Sequence, residues 1–499
     1  MYFINKYKIE IGIFTITACL LFNIFIRGLN PQDEGWVLYG AWRIFQGDTP
    51  YKDFQYLYTP LTAFLGALSF SLFGVSILAE RILALIIASF TSVFLASTLS
   101  LMKIPRKFSI GIVVFFLIWG PLQTNYLSPT LISIEIGIIY LYFVLKGLAS
   151  KKLGDSNRFF LTAGIAATLT LLCKQNFGFS LFLHVFILIS YLVISRRNKN
   201  ALFLGVGIFG ILTGYLIYLL ATSSILPFFN EMYSFLIIES IAEHGPSYLN
   251  AWTYPAPLFY KIGKIIFYST PLFVSLVAAF VAIKKRSTLF FAALLSTLFY
   301  LVGFQPTMDT IHITPLIAFS SLSIGSLYSL WDYKFTGKIL TGPLIVLTIL
   351  GVYNGIFRNY YKWFAPISTS NTLLTSSRAR ILVHPSDAAI FNTTASYLSN
   401  STNEDKYIFN YGMTPLLYFL SERKSPSRFN TIETRNVEGK NLNILLQELS
   451  QNLPSLIIVD GELRGINPTI ESFILQNYIL NTTISGRLVF KTKHNRETE

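Results

Sequence analysis

Long apolar runs dominate the first 357 residues of the chain and are separated by short polar loops. Most runs are about twenty residues long, which is enough to cross roughly 30 Å of hydrocarbon. The first run, residues 11–26, follows Lys6 and Lys8 and has no small-residue cleavage site after it. We therefore interpret it as a retained helix rather than a signal peptide. The pattern predicts an integral, multi-pass membrane protein.

The number of crossings depends on residues 60–102, where hydropathy favours two helices, 61–78 and 82–102. Counting both as crossings would place every later basic cluster outside the cytoplasm. One net crossing instead places all of them inside, as the positive-inside rule requires. Those clusters are residues 103–107, 151–152, 196–199 and 284–286. We therefore expect one net crossing here and about eleven helices in total, with the chain ending outside.

Beyond residue 357 the chain becomes polar, rich in Asn, Ser and Thr, and has no run long enough to span a membrane. Its pattern alternates between helices and strands, which predicts a small α/β domain. The expected helices are 386–398, 414–422, 441–450 and 468–480, and the expected strands are 407–410, 455–460 and 486–493. We thus predict a mostly α fold, with a membrane helical bundle over residues 1–365 and a soluble α/β domain over residues 366–499.

The composition agrees with a membrane protein: 53% of residues are hydrophobic and 13% are charged, with a mean hydropathy of +0.53. A formal net charge of +14 would suggest nucleic-acid binding in a soluble chain. Here the basic residues cluster in loops, so topology and anionic lipid explain the charge, and no nucleic-acid partner is expected. Cys19 and Cys173 lie far apart in apolar runs, and the five histidines form no metal motif.

Two adjacent acids, Asp33 and Glu34, follow the first apolar run in a loop rich in aromatic residues. Ionisable side chains close to lipid are rare unless they have a function. In one interpretation Asp33 is a general base that takes the proton of an acceptor hydroxyl, and Glu34 tunes it. In the other, both acids stabilise the N-terminus of a short helix that starts at Gly35. The spacing alone leaves both interpretations open.

The loop resembles the first outer loop of bacterial GT-C glycosyltransferases, in the branch of the protein O-mannosyltransferases and lipid A aminoarabinose transferases. The similarity is carried by residues 33–61, which begin Asp33-Glu-Gly-Trp, together with Leu72-Phe-Gly74 and Glu80-Arg81. It is strong over about fifty residues and diffuse elsewhere. The resemblance implies an inverting transfer of a sugar from a polyprenyl-phosphate carrier, with Asp33 as the base.

Two features depart from that family pattern. The aminoarabinose transferases carry Glu-Lys-Pro-Pro at the end of this loop, where the present chain has Leu57-Tyr-Thr-Pro60. The Glu that helps to hold a metal is therefore absent. The sequence leaves a divalent metal open, but the loop does not support one; no metal ligand is assigned and no other cofactor is predicted. Many relatives also carry an acid in the second outer loop, where this chain has Gln123-Thr-Asn-Tyr126.

Four further residues are candidates for holding the donor phosphate. Lys174 interrupts apolar sequence between two helices and either binds the departing phosphate or is a turn lysine that reaches the interface. Arg43 either contacts phosphate or pairs with Asp48 or Glu34. Asp309 and His312 are three residues apart and would share a helix face. They either orient the phosphate or acceptor or form an intrahelical hydrogen bond.

We therefore expect a membrane glycosyltransferase that moves a sugar from a polyprenyl-phosphate-linked donor to an unidentified acceptor hydroxyl on a protein, lipid or glycan. Its expected place is a bacterial inner or plasma membrane, with the site and the C-terminal domain outside the cytoplasm. A transporter or flippase of lipid-linked glycans is one alternative, and it would place ionisable residues at the bilayer midplane. A surface-polysaccharide polymerase or ligase is another, and it would rely on arginines and histidine in a late loop.

Overall fold

The fold was analysed in a computed structural model of the chain. The structure describes residues 2–233, 257–303, 310–331, 333–357, 365–403, 407–432, 438–461, 463 and 467–493. The N-terminal helices are α1 (Tyr2–Phe25), α2 (Asp33–Phe45), α3 (Leu61–Phe73), α4 (Ile77–Leu101), α5 (Arg106–Trp119), α6 (Pro129–Ala149), α7 (Leu153–Cys173), α8 (Gln175–Ile194), α9 (Asn198–Ala221) and α10 (Ile225–Tyr233). They are followed by α11 (Leu258–Lys284), α12 (Phe290–Gly303), α13 (Thr310–Phe319), α14 (Ser321–Leu330) and α15 (Tyr333–Ile356).

The mostly helical membrane fold predicted from hydropathy is confirmed. Within the described residues, eight spans are long and apolar enough to cross a membrane: α1, α4, α6, α7, α8, α9, α11 and the α13–α14 pair. Counting the shorter α5 and α12 and the longer α15 as crossings gives eleven. The chain enters and leaves α3 at the same end of the bundle: the Thr59 hydroxyl donates to the Leu171 carbonyl near the end of α7 at 2.5 Å, and the Ile77 amide donates to the Arg378 carbonyl of the C-terminal segment at 2.7 Å. Residues 60–102 therefore make one net crossing, through α4.

The basic clusters lie together at one end of the bundle, which we call the basic face. Arg197 donates to the Leu148 carbonyl at 3.1 Å, and Ser329 donates to the Met102 carbonyl at 2.6 Å. These bonds join the helix ends that carry the basic residues. We call the opposite end, where α1 ends and α2, α6 and α8 begin, the site face. The buried core of the bundle lies between the two faces and includes Trp119.

The C-terminal segment, residues 366–499, contains a four-stranded sheet in the order β3-β4-β6-β5. Its strands are β1 (Thr372–Leu373), β2 (Leu382–Val383), β3 (Ile408–Tyr411), β4 (Leu456–Asp460), β5 (Tyr478–Ile484) and β6 (Arg487–Thr492). Its helices are α16 (Pro385–Ser401), α17 (Leu416–Ser421), α18 (Gly439–Gln451) and α19 (Pro468–Asn477). The β3–β4 pair is parallel, and the other pairs are antiparallel. The predicted α/β class of this segment is confirmed.

One predicted element of the C-terminal segment is wrong. The helix expected over residues 468–480 ends at Asn477, and the strand β5 begins at Tyr478. The strand forms a hairpin with β6 around Ser485 and Gly486, which both have positive φ, 49° and 79°. Two residues with positive φ make the tight turn that hairpins prefer. The Ser-Gly pair between Ile484 and Arg487 was therefore a turn signal that the helical interpretation missed.

The C-terminal segment lies on the site face, on the same side as the acidic loop, as the crossing count predicts. The amide of Gly28 donates to the Leu382 carbonyl at 2.9 Å, and the amide of Leu382 donates to the Ile26 carbonyl at 2.8 Å. Helix α17 packs on α2, where the rings of Tyr39 and Tyr418 stack at 4.9 Å. The placement of the domain boundary at 365/366 stays a prediction.

Candidate active site

Asp33 is the first residue of α2, so the helix begins two residues earlier than Gly35. Its amide donates to Oδ1 of Asn30 at 2.9 Å, and the Asn30 side-chain amide donates to Oδ2 of Asp33 at 3.1 Å. A carboxylate is stabilised at a helix N-terminus. The side chain of Asp33 is half-buried and borders a cavity on the site face. Asp33 therefore lies at a helix N-terminus and also borders a cavity.

The neighbouring acid, Glu34, has different surroundings. It is fully buried and accepts two hydrogen bonds from the Arg81 guanidinium, at 2.6 Å from Nε and 2.8 Å from Nη2. Arg81 also donates to the carbonyls of Phe25, Arg27 and Gly28, at 2.9–3.0 Å. The pair therefore fixes the end of α1 against the start of α2. Glu34 does not line the cavity that Asp33 borders.

The cavity beside Asp33 has a volume of about 160 Å³ and opens on the site face. It joins an acid, two nitrogen bases, aromatic rings and hydroxyl groups from distant parts of the chain. Its lining includes Asp33, Lys174, His312, Trp36, Tyr58, Tyr126, Ser128, Thr130 and Thr431. Three of the six predicted site residues, Asp33, Lys174 and His312, thus border one space.

Lys174 is the single residue between α7 and α8, and its backbone is extended, with φ −154° and ψ 119°. This break in two helices turns the side chain toward the cavity. The ammonium donates to Oγ1 of Thr130 at 2.8 Å and lies 5.1 Å from the centre of the Tyr58 ring. The ammonium of Lys174 is therefore placed at the cavity, beside a hydroxyl and an aromatic face.

His312 lies in the first turn of α13 and also borders the cavity. Its predicted partner, Asp309, lies outside the described residues. His312 comes from a helix late in the bundle, whereas Asp33 opens an early one. The bundle therefore places Asp33 and His312, which are separated by most of its sequence, beside the same cavity.

Arg43 lies away from the cavity, in the last turn of α2. It forms an ion pair with Asp48, and its guanidinium also donates to the Asp53 carbonyl at 3.0 Å. Of the roles left open by the sequence, the structure shows the pairing with Asp48. Lys424 of the C-terminal segment adds a second cation to Asp48 at 3.1 Å. Arg43 therefore takes part in joining the acidic loop to the C-terminal segment.

Several lining residues were not identified from the sequence. Tyr126 is one: burial, together with the carboxylates of Asp33 and Glu34, raises its pKa well above the usual range. Its hydroxyl therefore stays protonated at neutral pH. Trp36 lines the same cavity three residues after Asp33, on the same side of α2, and its ring stacks on that of Tyr56 at 4.2 Å.

The C-terminal segment contributes Thr431 to the cavity. The residues before it are held on the acidic loop: Gln55 donates its amide to the Arg428 carbonyl at 2.9 Å, and Arg428 donates to the Tyr51 carbonyl at 2.6 Å. The Asn430 side chain also donates to the Gln55 carbonyl, at 3.3 Å. No sequence pattern connects residues so far apart in the chain.

A resident divalent metal does not fit the cavity. Its described lining offers one carboxylate, on Asp33, and one imidazole, on His312. Protein metal sites usually have three or four such ligands. Among the residues that the structure describes, no group of three or more His, Cys, Asp or Glu side chains is placed to hold a metal.

Comparison with known proteins gives a family match for the C-terminal segment and structural matches for the whole fold. Residues 391–493 match the family described as "Putative competence-induced protein Ccs4 C-terminal domain". No curated protein matches the chain.

Two crystal structures of ArnT from Cupriavidus metallidurans resemble the chain over almost its full length. The apo structure has a TM-score of 0.61 at 12% sequence identity, covering 96% of this chain and 97% of ArnT. The structure bound to undecaprenyl phosphate has a TM-score of 0.58 at 12% identity, covering 98% of each chain. The chain therefore has the fold of ArnT over almost its full length.

Proposed function

We propose that this protein is an inverting membrane glycosyltransferase that moves a sugar from a polyprenyl phosphate to an acceptor hydroxyl. The observation that carries the proposal is the cavity that joins Asp33 with Lys174 and His312. It places a carboxylate and two nitrogen donors around one space at the end of a membrane bundle. Such a transfer needs a base on the acceptor side and positive charge on the phosphate side.

The chemical step assigns one role to each group. The acceptor oxygen attacks the anomeric carbon of the donor sugar while the carboxylate of Asp33 takes the proton of that hydroxyl. The bond between the anomeric carbon and the phosphate oxygen breaks from the opposite side, so the configuration inverts. The electron pair of that bond leaves with the polyprenyl phosphate.

Lys174 and His312 stabilise the phosphate as its negative charge increases. The Lys174 ammonium is already oriented by Thr130, so little reorganisation is needed when the charge develops. Trp36 and Tyr58 border the same cavity, and their rings offer faces on which the sugar can pack. Glu34 acts indirectly as a positioning residue, because its pair with Arg81 fixes the start of α2.

The donor class and the location belong to the same proposal. ArnT has been crystallised with undecaprenyl phosphate, which supports a polyprenyl-phosphate donor for a chain of this fold. The basic clusters lie at the end of the bundle away from Asp33, which favours a cytoplasmic basic face and an extracytoplasmic site. We place the protein in a bacterial plasma membrane, with its C-terminal segment outside.

The central test is Asp33→Asn. Asn keeps the size of Asp and is as good at a helix N-terminus, but it accepts no proton at neutral pH. Cells with the variant should accumulate the lipid-linked donor sugar, which identifies it. With that donor, the purified variant should turn over roughly 10²–10⁴-fold more slowly while still binding donor. Asp155→Asn, an exposed acid on the basic face, is the control. Normal turnover of Asp33→Asn would contradict the proposal.

The proposed orientation has its own test. Ser485 is exposed in the β5–β6 turn, and Lys199 is exposed at the start of α9 on the basic face. In intact cells, an impermeant thiol reagent should label Ser485→Cys and spare Lys199→Cys, with the parent chain giving the background from Cys19. The reverse pattern would place the cavity in the cytoplasm.

One observation favours the transporter alternative. Glu135 is buried within α6, and among the described residues neither of its carboxylate oxygens has a hydrogen-bond partner. Acids inside a membrane span often belong to a transport path. Glu135→Gln should abolish glycan translocation if the chain is a transporter. In a transferase it should leave turnover at Asp33 nearly unchanged.

A further inference from the structure

A second cavity, of about 440 Å³, lies in the C-terminal segment and shares no lining residue with the Asp33 cavity. One face of α16, residues 375–377 and the end of α17 form its walls. Most of its lining residues carry hydroxyl or carboxamide side chains, and no aromatic ring lines it. Pockets for small ligands in proteins are mostly apolar, so this lining is unusual.

The wall formed by α16 presents a polar stripe. Asn392, Ser396 and Asn400 are four residues apart and therefore share one face of the helix. The side-chain oxygen Oδ1 of Asn392 accepts a hydrogen bond from the backbone amide of Thr375 at 2.9 Å, which fixes the Asn392 side chain. Within the described chain, no protein group hydrogen-bonds to the Ser396 hydroxyl or the Asn400 carboxamide. The stripe thus offers neutral donors and acceptors to a ligand.

The charged groups in the wall are already occupied. Arg423 donates to the Thr402 hydroxyl and to the carbonyls of Ser399, Thr402, Ser421 and Glu422, at 2.5–3.2 Å. Those bonds use both ends of its guanidinium. Glu422 pairs with Nε of Arg378 at 3.1 Å. Both charged residues of the lining, Arg423 and Glu422, are therefore engaged by protein groups, and the remaining polar groups of the cavity are neutral.

We infer that this cavity binds a neutral glycan. Sugar hydroxyls both donate and accept hydrogen bonds, and hydroxyl and carboxamide side chains match them group for group. A volume of about 440 Å³ lies within the range of ligand pockets, roughly 300–1,000 Å³. The inference goes beyond the proposed transfer reaction, because it concerns binding at a second site and needs no turnover for its test.

The position of the cavity defines two sources for such a glycan. Beside it, the amides of Ile77 and Leu78, at the start of α4, donate to the carbonyls of Arg378 and Ala379, at 2.7 and 3.3 Å. The cavity wall therefore rests on the end of a membrane span. A free oligosaccharide and the headgroup of a glycolipid would both present neutral sugar hydroxyls at this end of the membrane span.

The experiment uses the full chain in lipid nanodiscs. One arm adds neutral di- to tetrasaccharides of glucose, galactose, mannose and N-acetylglucosamine, and the other incorporates a neutral dihexosyl diacylglycerol. Contacts between sugar protons and protein are measured by saturation-transfer NMR, and affinity is measured by titration. Ser396→Trp fills the cavity from an exposed position, and Ser472→Trp on exposed α19 is the matched control.

We expect wild type and Ser472→Trp to bind in at least one arm, and Ser396→Trp to lose binding. Asn400→Ala, which removes hydrogen-bonding groups without filling the cavity, should weaken binding roughly two- to tenfold. The responding arm identifies the source. Absence of binding in both arms, or binding that Ser396→Trp leaves unchanged, would overturn the inference. Either result leaves the Asp33 test unaffected, because donor turnover is measured separately.

Discussion

Two neighbouring regions of the site face use charged side chains in opposite ways. In the first, which we call the loop interface, residues 43–55 meet residues 424–430 of the C-terminal segment. There Asp48 pairs with Arg43 and Lys424, and Arg428 pairs with Glu231. In the second, the Asp33 cavity, an acid and two nitrogen bases border open space. Charges of the first kind join two parts of the chain, and charges of the second kind line the cavity that we propose as the donor site.

The comparison extends to adjacent residues. Glu34 is buried against Arg81, whereas Asp33 borders the cavity one position earlier. A substitution in a pairing position should therefore reduce stability, and one in the cavity should reduce turnover while the protein stays folded. The four expectations below test this separation, from the largest effect to the smallest.

Glu34→Gln should cause the largest loss of stability. It leaves the buried Arg81 guanidinium without a carboxylate, and breaking a buried ion pair costs about 3–5 kcal/mol. Thermal unfolding in detergent measures the loss. Glu422→Gln breaks a more exposed Arg–Glu pair and should change stability by less than about 1 kcal/mol. If Glu34→Gln were as stable as wild type but inactive, Glu34 would belong with Asp33 in the chemistry.

Lys174→Gln should reduce kcat/KM for the lipid-linked donor roughly 10²-fold, because it removes the positive charge facing the phosphate. Gln can still hydrogen-bond to Thr130, so the unfolding temperature should change little. Lys174→Arg should restore part of the activity by restoring the charge. Lys107→Gln, an exposed lysine on the basic face, should have no effect. Misfolding of Lys174→Gln would instead indicate that this lysine serves only the turn between α7 and α8.

Gly35→Ala should weaken the contact between α2 and α17. A Cβ at Gly35 would lie 2.8 Å from the backbone nitrogen of Leu416, so the two helices would have to separate. Overpacking of this kind costs about 1–3 kcal/mol. Gly111→Ala is the control, because nothing lies within 4 Å of its Cβ position. Unfolding temperature and protease sensitivity of the C-terminal segment are the measurements. An unchanged protease pattern would show that α17 does not hold the segment in place.

The smallest effect concerns pH. Burial alone would favour neutral Asp48, but Arg43 and Lys424 outweigh it and lower the pKa of this carboxyl below 3.8. A lowered pKa in the folded state adds stability above the unfolded-state value, and this contribution is lost as the pH falls through the folded-state pKa. Between pH 6 and pH 3, protonation of Asp48 should therefore lower the free energy of unfolding by at most about 1 kcal/mol. Asp48→Asn should lack that part of the pH dependence, and Asp155→Asn should retain it.

The sequence predicted most of the membrane fold, because helix length and the distribution of basic residues are local properties. It also indicated Asp33, Lys174 and His312, which interrupt or flank apolar runs. It favoured Asp33 over Glu34 as the base, but it could not show that Glu34 is buried against Arg81, 47 positions away. The sequence also could not predict that Thr431 lines the cavity or that Lys424 pairs with Asp48, because these contacts join residues far apart in the chain. Strand β5 was missed because a short apolar run fits a helix or a strand equally well.

The acidic loop contacts the C-terminal segment, so the site can be completed only after that segment has been synthesised. Ser425, whose amide binds the Tyr39 hydroxyl, is synthesised 386 residues after it. At about 5–20 residues per second, a ribosome needs tens of seconds to add that length. During this time Asp33 is already in the membrane, but the wall that contains Thr431 does not exist. A nascent or prematurely terminated chain therefore carries the acid without a finished cavity, and the proposed transfer can begin only after the segment that contains Thr431 has folded.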